Sequence, residues 1–147
     1  MAYDLKLTFQ HVTGIPRAGE PLAEACSQFS STSLLKLKKE ETAEGRRVGE
    51  ICDGSYKKGD IVLLIDDLVT TAESKIEAIH SLEACGLKVR DVLVLIDREQ
   101  GGKEELKKAG YELHAGFTLS QLVQHYRVSD RITPEKEKEV LDYLVNN

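Results

Sequence analysis

The apolar run Ile61-Val62-Leu63-Leu64-Ile65 has no period-two alternation and ends in two adjacent carboxylates, Asp66 and Asp67. An unalternated apolar stretch of this length suits a strand covered on both faces, as in the centre of a parallel sheet. Asp66 and Asp67 then sit at its carboxyl end, the edge at which open α/β sheets bind ligands between strand ends and helix N-termini. Thr70, Thr71 and Ser74 follow and open a helix whose first backbone N–H groups lack internal acceptors and can receive an anion.

Upstream, Leu5, Leu7, Phe9 and Val12 predict a strand over Leu5 to Thr13, stopped by Gly14-Ile15-Pro16. Leu22, Ala23, Ala25, Cys26 and Phe29 recur at helical spacing between Glu20 and Phe29, with Pro21 tolerated in the first turn. Leu34, Leu35 and Leu37 predict a second short strand. Lys38 to Asp60 is polar and charged, with Gly45, Gly49, Gly54 and Gly59, and reads as a long mobile loop with room for a small hairpin. Loops of that length inside a compact domain are usually functional or disordered.

Downstream, Ile76, Ile79 and Leu82 mark one face of a helix that Gly86 ends. Leu87 to Ile96 is the next buried strand, Glu104 to Ala109 a short helix closed by Gly110, Tyr111 to Ala115 a strand, and Leu119 to Tyr126 a helix. Leu119, Leu122 and Tyr126 read as core positions of that helix. A last helix begins near Thr133 as a cap, with Pro134 in the first turn and Glu135 and Glu137 placed for the dipole. Strands and helices alternate, which implies a doubly wound, mainly parallel α/β sheet flanked by helices, with right-handed crossovers.

Length and charge narrow the function classes. At 147 residues the whole chain, 1–147, is expected to be a single domain. A net charge of -5 and a pI near 5.4 argue against a nucleic-acid partner, which would call for a basic face. Cys26, Cys52 and Cys85 form an odd, widely spaced set without CxxC, poor material for a disulfide framework or a zinc site. The N-terminus lacks a basic region before an apolar core, and no run is long enough to span a membrane. The expectation is a soluble, cytoplasmic protein without a membrane partner.

Spacing separates the meanings of two acids after an apolar strand. GxGxxG is absent, no Gly-rich run ends in Lys-Ser or Lys-Thr, and Leu68 stands where a phosphatase-type DxD motif needs its second acid. The reading that uses every polar position is a ribose-phosphate site. Two carboxylates accept hydrogen bonds from a diol, while the Thr-Thr-x-x-Ser turn and helix start hold a phosphate on the same sugar. His11, His80, His114 and His125 lack metal-ligand spacing, and His80 reads as a surface residue.

LLIDDLVTTAES (Leu63 to Ser74) resembles, in order, the 5-phosphoribosyl-1-diphosphate (PRPP) signature of the type I phosphoribosyltransferases: apolar residues, two acids, two apolar residues, then a Thr/Ser/Gly-rich loop. DREQGG (Asp97 to Gly102), the helix after it and YELHAGFTLSQLV (Tyr111 to Val123) resemble the orotate phosphoribosyltransferases, especially those of the UMP synthase type. GIPRAGEPLAEA (Gly14 to Ala25) is similar to the family's diphosphate-contacting loop and following helix, and KKEETAEG (Lys38 to Gly45) lies where the family has its mobile catalytic loop. The family's N-terminal hood segment has no counterpart in the chain.

The resemblance implies transfer of the phosphoribosyl group of PRPP to orotate, giving orotidine 5'-monophosphate and diphosphate, with Mg²⁺. Asp66 and Asp67 would contact the ribose hydroxyls or magnesium-bound waters, so that no residue ligates the metal directly. Thr70, Thr71, Ala72, Glu73 and Ser74 would wrap the 5-phosphate, Arg98 would face the orotate carboxylate, and Lys38, Lys39 and Arg17 would neutralise the departing diphosphate. Asp67, Lys38 and Lys39 would be the catalytic set. A homodimer is implied, and an orotidine monophosphate decarboxylase is a candidate companion. Ala72 and Glu73 stand where the family has Gly and a small residue, and Thr42 and Glu44 where it has Lys and, in many members, His. With those substitutions the alternative is a PRPP- or nucleotide-binding module that no longer turns over.

Overall fold

The computed structural model describes residues 6–42 and 45–146, with the side chains of 39–42, 45–53 and 145–146 left out of account. Among the described residues six strands form one sheet, in the order β3-β2-β1-β4-β5-β6. They are β1 (His11–Gly14), β2 (Ser33–Thr42), β3 (Gly45–Asp53), β4 (Ile61–Val69), β5 (Lys88–Asp97) and β6 (Glu112–Thr118). β1 lies parallel between β2 and β4, and β5 and β6 continue the parallel set. The helices are α1 (Gly19–Ser30), α2 (Glu73–Ala84), α3 (Gly102–Lys108), α4 (Leu119–Val128) and α5 (Pro134–Asn146).

The unalternated run became the central strand. Val62, Leu63, Leu64 and Ile65 are all buried, two on each face. On one face Leu63 and Ile65 pack with Val12 of β1 and Ala23 of α1. On the other, Val62 and Leu64 join Ala78, Ile79 and Leu82 of α2 and Leu106 of α3. The Ile76, Ile79 and Leu82 stripe thus does cover the sheet, and Gly86 follows the helix with φ 84°, a left-handed turn that a residue without Cβ enters at little cost. Thr118 caps α4 in a reciprocal box with Gln121, and Thr133 Oγ1 accepts the Lys136 N–H at the start of α5.

Three expectations need correction, those for the first strand, the loop and Tyr126, while the mainly parallel sheet stands. The first strand is four residues long, not the Leu5 to Thr13 segment: pairing with β2 and β4 begins only at His11, and Leu5 lies outside the described residues. Lys38 to Asp60 is not a long loop, because β2 runs on to Thr42 and returns as β3 in an antiparallel hairpin with bulges near Leu37. Consequently the sheet is parallel over five strands and antiparallel at the β3 edge. Tyr126 is half-exposed instead of buried, since α4 meets the rest of the molecule through Val123. No helix among the described residues is long and apolar enough to cross a membrane.

Candidate active site

β1 and β4 are neighbours, yet the helices that follow them cover opposite faces of the sheet, so a crevice opens beyond the end of β1, where Gly14 pairs with Ile65, and alongside the last residues of β4. The chain after β1 is tied there by the Ile15 N–H, which donates to the Ile65 carbonyl at 3.0 Å. Gly19 then starts α1 directly against β4. A Cβ on Gly19 would sit 3.2 Å from Asp66 Cα and collide with the Ile65 carbonyl oxygen, so only glycine lets α1 approach this closely. Between the two segments is a cavity of about 360 Å³ lined by Pro16, Arg17, Ala18, Asp66, Asp67 and Ser74.

The two acids are not equivalent. Asp66 is only 6% exposed, and its Oδ2 lies 2.7 Å from Nζ of Lys75, itself 4% exposed. The other oxygen, Oδ1, accepts the Asp67 N–H at 3.0 Å. Burial pushes the Asp66 carboxyl above its ordinary value, while the Lys75 hydrogen bond and charge pull it back. Removing one partner of a buried ion pair typically costs about 3–5 kcal/mol, because the remaining charge is stranded. Asp67 is partly exposed and engages the Leu68 N–H through Oδ1 at 2.8 Å, so its carboxylate turns back on the strand end.

After β4, Thr70 is partly exposed, Thr71 exposed and Ala72 buried, and α2 begins at Glu73. No side chain of the helix's own residues caps this start. The Ala72 N–H instead donates to Glu105 Oε2 of α3 at 2.8 Å. The loop is held from its far side by the Gly102 N–H on the Thr70 carbonyl and the Arg98 N–H on the Val69 carbonyl, each at 2.9 Å. Glu73 does not line the cavity. Its exposed side chain borders a separate open groove of about 710 Å³ with Ile76, Glu77 and His80 of α2 and Glu105 of α3.

Arg98 stands one residue past β5, partly exposed, beside the loop but outside the cavity lining. Its neighbours are fixed: buried Asp97 accepts the Glu99 N–H at 2.8 Å, and Glu99 Oε2 accepts the Ser120 N–H at the start of α4, also at 2.8 Å. Lys38 is exposed on β2. The side chains of Lys39 and Thr42, and Glu44 altogether, lie outside the described residues. His114 pairs with Asp91 at 2.7 Å in the body of the sheet, and His11 with Asp60 at 2.8 Å at its amino end, so neither faces the crevice.

Of the expected residues, Arg17, Asp66, Asp67 and Ser74 meet around one cavity, whereas Thr70 to Glu73 connect β4 to Ser74 without lining it. Lys75 and Glu105 were missed. Lys75 was within reach of sequence reasoning, since Lys75, Ala78, Ile79 and Leu82 fall at i, i+3, i+4 and i+7 and put a lysine on the apolar stripe of α2. A cation in the first turn of a helix is opposed by the dipole, so it calls for a nearby carboxylate.

Residues 2–118 match the model of the phosphoribosyl transferase domain. The chain is 34% identical over 138 residues to the orotate phosphoribosyltransferase of Saccharolobus solfataricus, covering 92% of this chain and 68% of that protein. It is 32% identical over 147 residues to the uridine 5'-monophosphate synthase of Bos taurus, covering 99% of this chain but 30% of the relative. A solved structure of Leishmania donovani UMP synthase superposes with a TM-score of 0.86 at 39% identity, over 99% of this chain and 31% of that one. The chain thus spans under a third of the length of those two synthases.

Proposed function

This chain belongs to the phosphoribosyl transferase family, and we propose that it transfers the phosphoribosyl group of PRPP to orotate, yielding orotidine 5'-monophosphate and diphosphate. The observation that carries this reading is the cavity at the β1/β4 switch point, where Arg17, Asp66, Asp67 and Ser74 converge. In this reading the ribose diol meets the acidic pair and the 5-phosphate meets the loop from Thr70 to Ser74. The diphosphate meets Arg17, with Lys38 and Lys39 arriving from the β2/β3 hairpin. Arg98 takes the orotate carboxylate, for which a planar guanidinium offers two parallel donors.

The reaction breaks the bond between the anomeric carbon and diphosphate and forms one from that carbon to the orotate ring nitrogen, whose proton is released to the departing diphosphate or to water. Positive charge builds on the sugar as the leaving group takes the electron pair. Preorganised cations around the diphosphate lower this barrier, and losing one such contact typically costs on the order of a hundredfold in rate.

Magnesium fits this donor set as an ion delivered with the substrate. Among the described residues no group of three or more His, Cys, Asp or Glu side chains could cage a metal. One or two carboxylates at the cavity wall, with phosphate oxygens and water, are the usual surroundings of Mg²⁺. When bound, the ion would neutralise charge on the departing diphosphate. A homodimer, a cytoplasmic location and a decarboxylase companion complete the proposal, the last supported by relatives that are UMP synthases.

One observation favours a second reading, a PRPP-binding module without turnover: the Ala72 N–H, a donor of the phosphate loop, is taken by Glu105. Calorimetry with PRPP and Mg²⁺, with and without orotate, separates the readings. Binding with product formation supports the enzyme, binding without product supports the module, and no binding rejects both.

A further inference from the structure

Lys75 is the one cation of α2's buried stripe, and the residues that share it are Ala78, Ile79 and Leu82. Its ammonium meets Asp66 at 2.7 Å and Ser74 Oγ only at 3.4 Å, so the carboxylate is its principal partner. Both oxygens of Asp66 are already engaged, Oδ2 by Lys75 and Oδ1 by the Asp67 N–H. The next residue, Asp67, is the more exposed of the two acids, and both border the cavity.

We infer that Lys75 divides the labour of the acidic pair: it takes Asp66 into a buried ion pair that anchors α2 beneath the loop, and leaves Asp67 as the carboxylate that meets ribose. This rests on the phosphoribosyl reading of the cavity and assigns its parts. Lys75 is a positioning residue and touches no reacting atom. Its charge has a second consequence. Asp66 lies in the wall of a cavity meant for a polyanion, and the Lys75 ammonium at 2.7 Å is the partner that cancels its field there. The pair is therefore neutral towards PRPP, whereas either residue alone is not.

The test is a set of PRPP titrations with Mg²⁺ at pH 8, read with melting temperatures, on the wild type, Lys75→Met, the double variant Lys75→Met/Asp66→Asn, and Asp67→Asn. Lys75→Met strands a carboxylate beside the ligand, so PRPP binding should weaken about tenfold and the melting temperature should fall. The double variant replaces the ion pair by neutral groups and should recover affinity to within about threefold of wild type, together with most of the lost melting temperature. Asp67→Asn should weaken PRPP about thirtyfold at an unchanged melting temperature, the loss typical of a hydrogen bond to a charged group. A double variant that binds as weakly as Asp67→Asn would show that Asp66 touches the ligand itself and overturn the assignment. If the wild type binds no PRPP, the phosphoribosyl reading fails. The ion pair is then judged by adding Asp66→Asn to the melting series, where strictly additive losses in the double variant would overturn the coupling.

Discussion

Glu105 accepts the backbone N–H of Ala72 through Oε2 at 2.8 Å, so α3 presents a carboxylate to the very loop assigned to phosphate. An anion can bind Ala72 only after Glu105 yields that donor. Glu105→Ala removes both the competition and a like charge, an effect of roughly 1 kcal/mol for charges about 4 Å apart in water, or about fivefold. PRPP and inorganic phosphate should both bind more tightly to this variant in calorimetry. Weaker binding would mean that Glu105 shapes the loop for its ligand.

Arg98→Ala should raise the KM for orotate about tenfold or more while changing that for PRPP little, because a bidentate contact to a carboxylate is lost and the cavity between β1 and β4 is untouched. Steady-state kinetics with each substrate varied in turn measures the split. Equal loss towards both substrates would remove Arg98 from the orotate subsite.

Gly19→Ala introduces a Cβ against the Ile65 carbonyl, at the point where α1 presses on Asp66. Overpacking of this kind costs about 1–3 kcal/mol. The expected outcome is a lower melting temperature together with weaker PRPP binding, since the shift that relieves the clash also moves the cavity wall. Lower stability with unchanged affinity would show that the crevice does not depend on this close approach.

The His11–Asp60 contact at the amino end of the sheet gives a pH signature separate from the site. The His11 hydrogen bond, with that from the Lys57 N–H, holds the Asp60 carboxyl below its ordinary value of 3.8. A depressed carboxyl stabilises the fold above its unfolded value, and that contribution is lost as the pH falls through the lowered one. Asp60→Asn should therefore reduce stability at pH 6 and lose its effect in strongly acid solution, leaving PRPP affinity unchanged. Denaturant melts across that range measure it, and a deficit that persists in acid would contradict the assignment.

What the sequence disclosed followed from burial. Ile61 to Ile65 is a covered strand whose apolar run announces it, and Asp66, Asp67 and Ser74 inherit their positions from it. Leu87 to Ile96 is the expected strand but only partly covered, with Val89, Val92 and Val94 buried and Leu95 46% exposed. The β2/β3 hairpin was obscure for the opposite reason. Lys38 to Thr42 and Gly45 to Arg47 contain no apolar residue, and the ribbon is held by a backbone ladder that needs no buried face. Leu5, Leu7 and Phe9 mimicked a strand because Leu7 and Phe9 pack on the α1-side cluster without pairing. Glu105 was illegible, since it reaches Ala72 across 33 residues.

Orotate loss is followed directly by absorbance, and this one assay bears most heavily on the assignment. Purified protein with PRPP, Mg²⁺ and orotate should deplete the orotate band with stoichiometric release of diphosphate, and Asp67→Asn should abolish the change while remaining folded. Wild-type protein that binds PRPP yet leaves orotate undiminished would contradict the transferase and leave the binding module in its place.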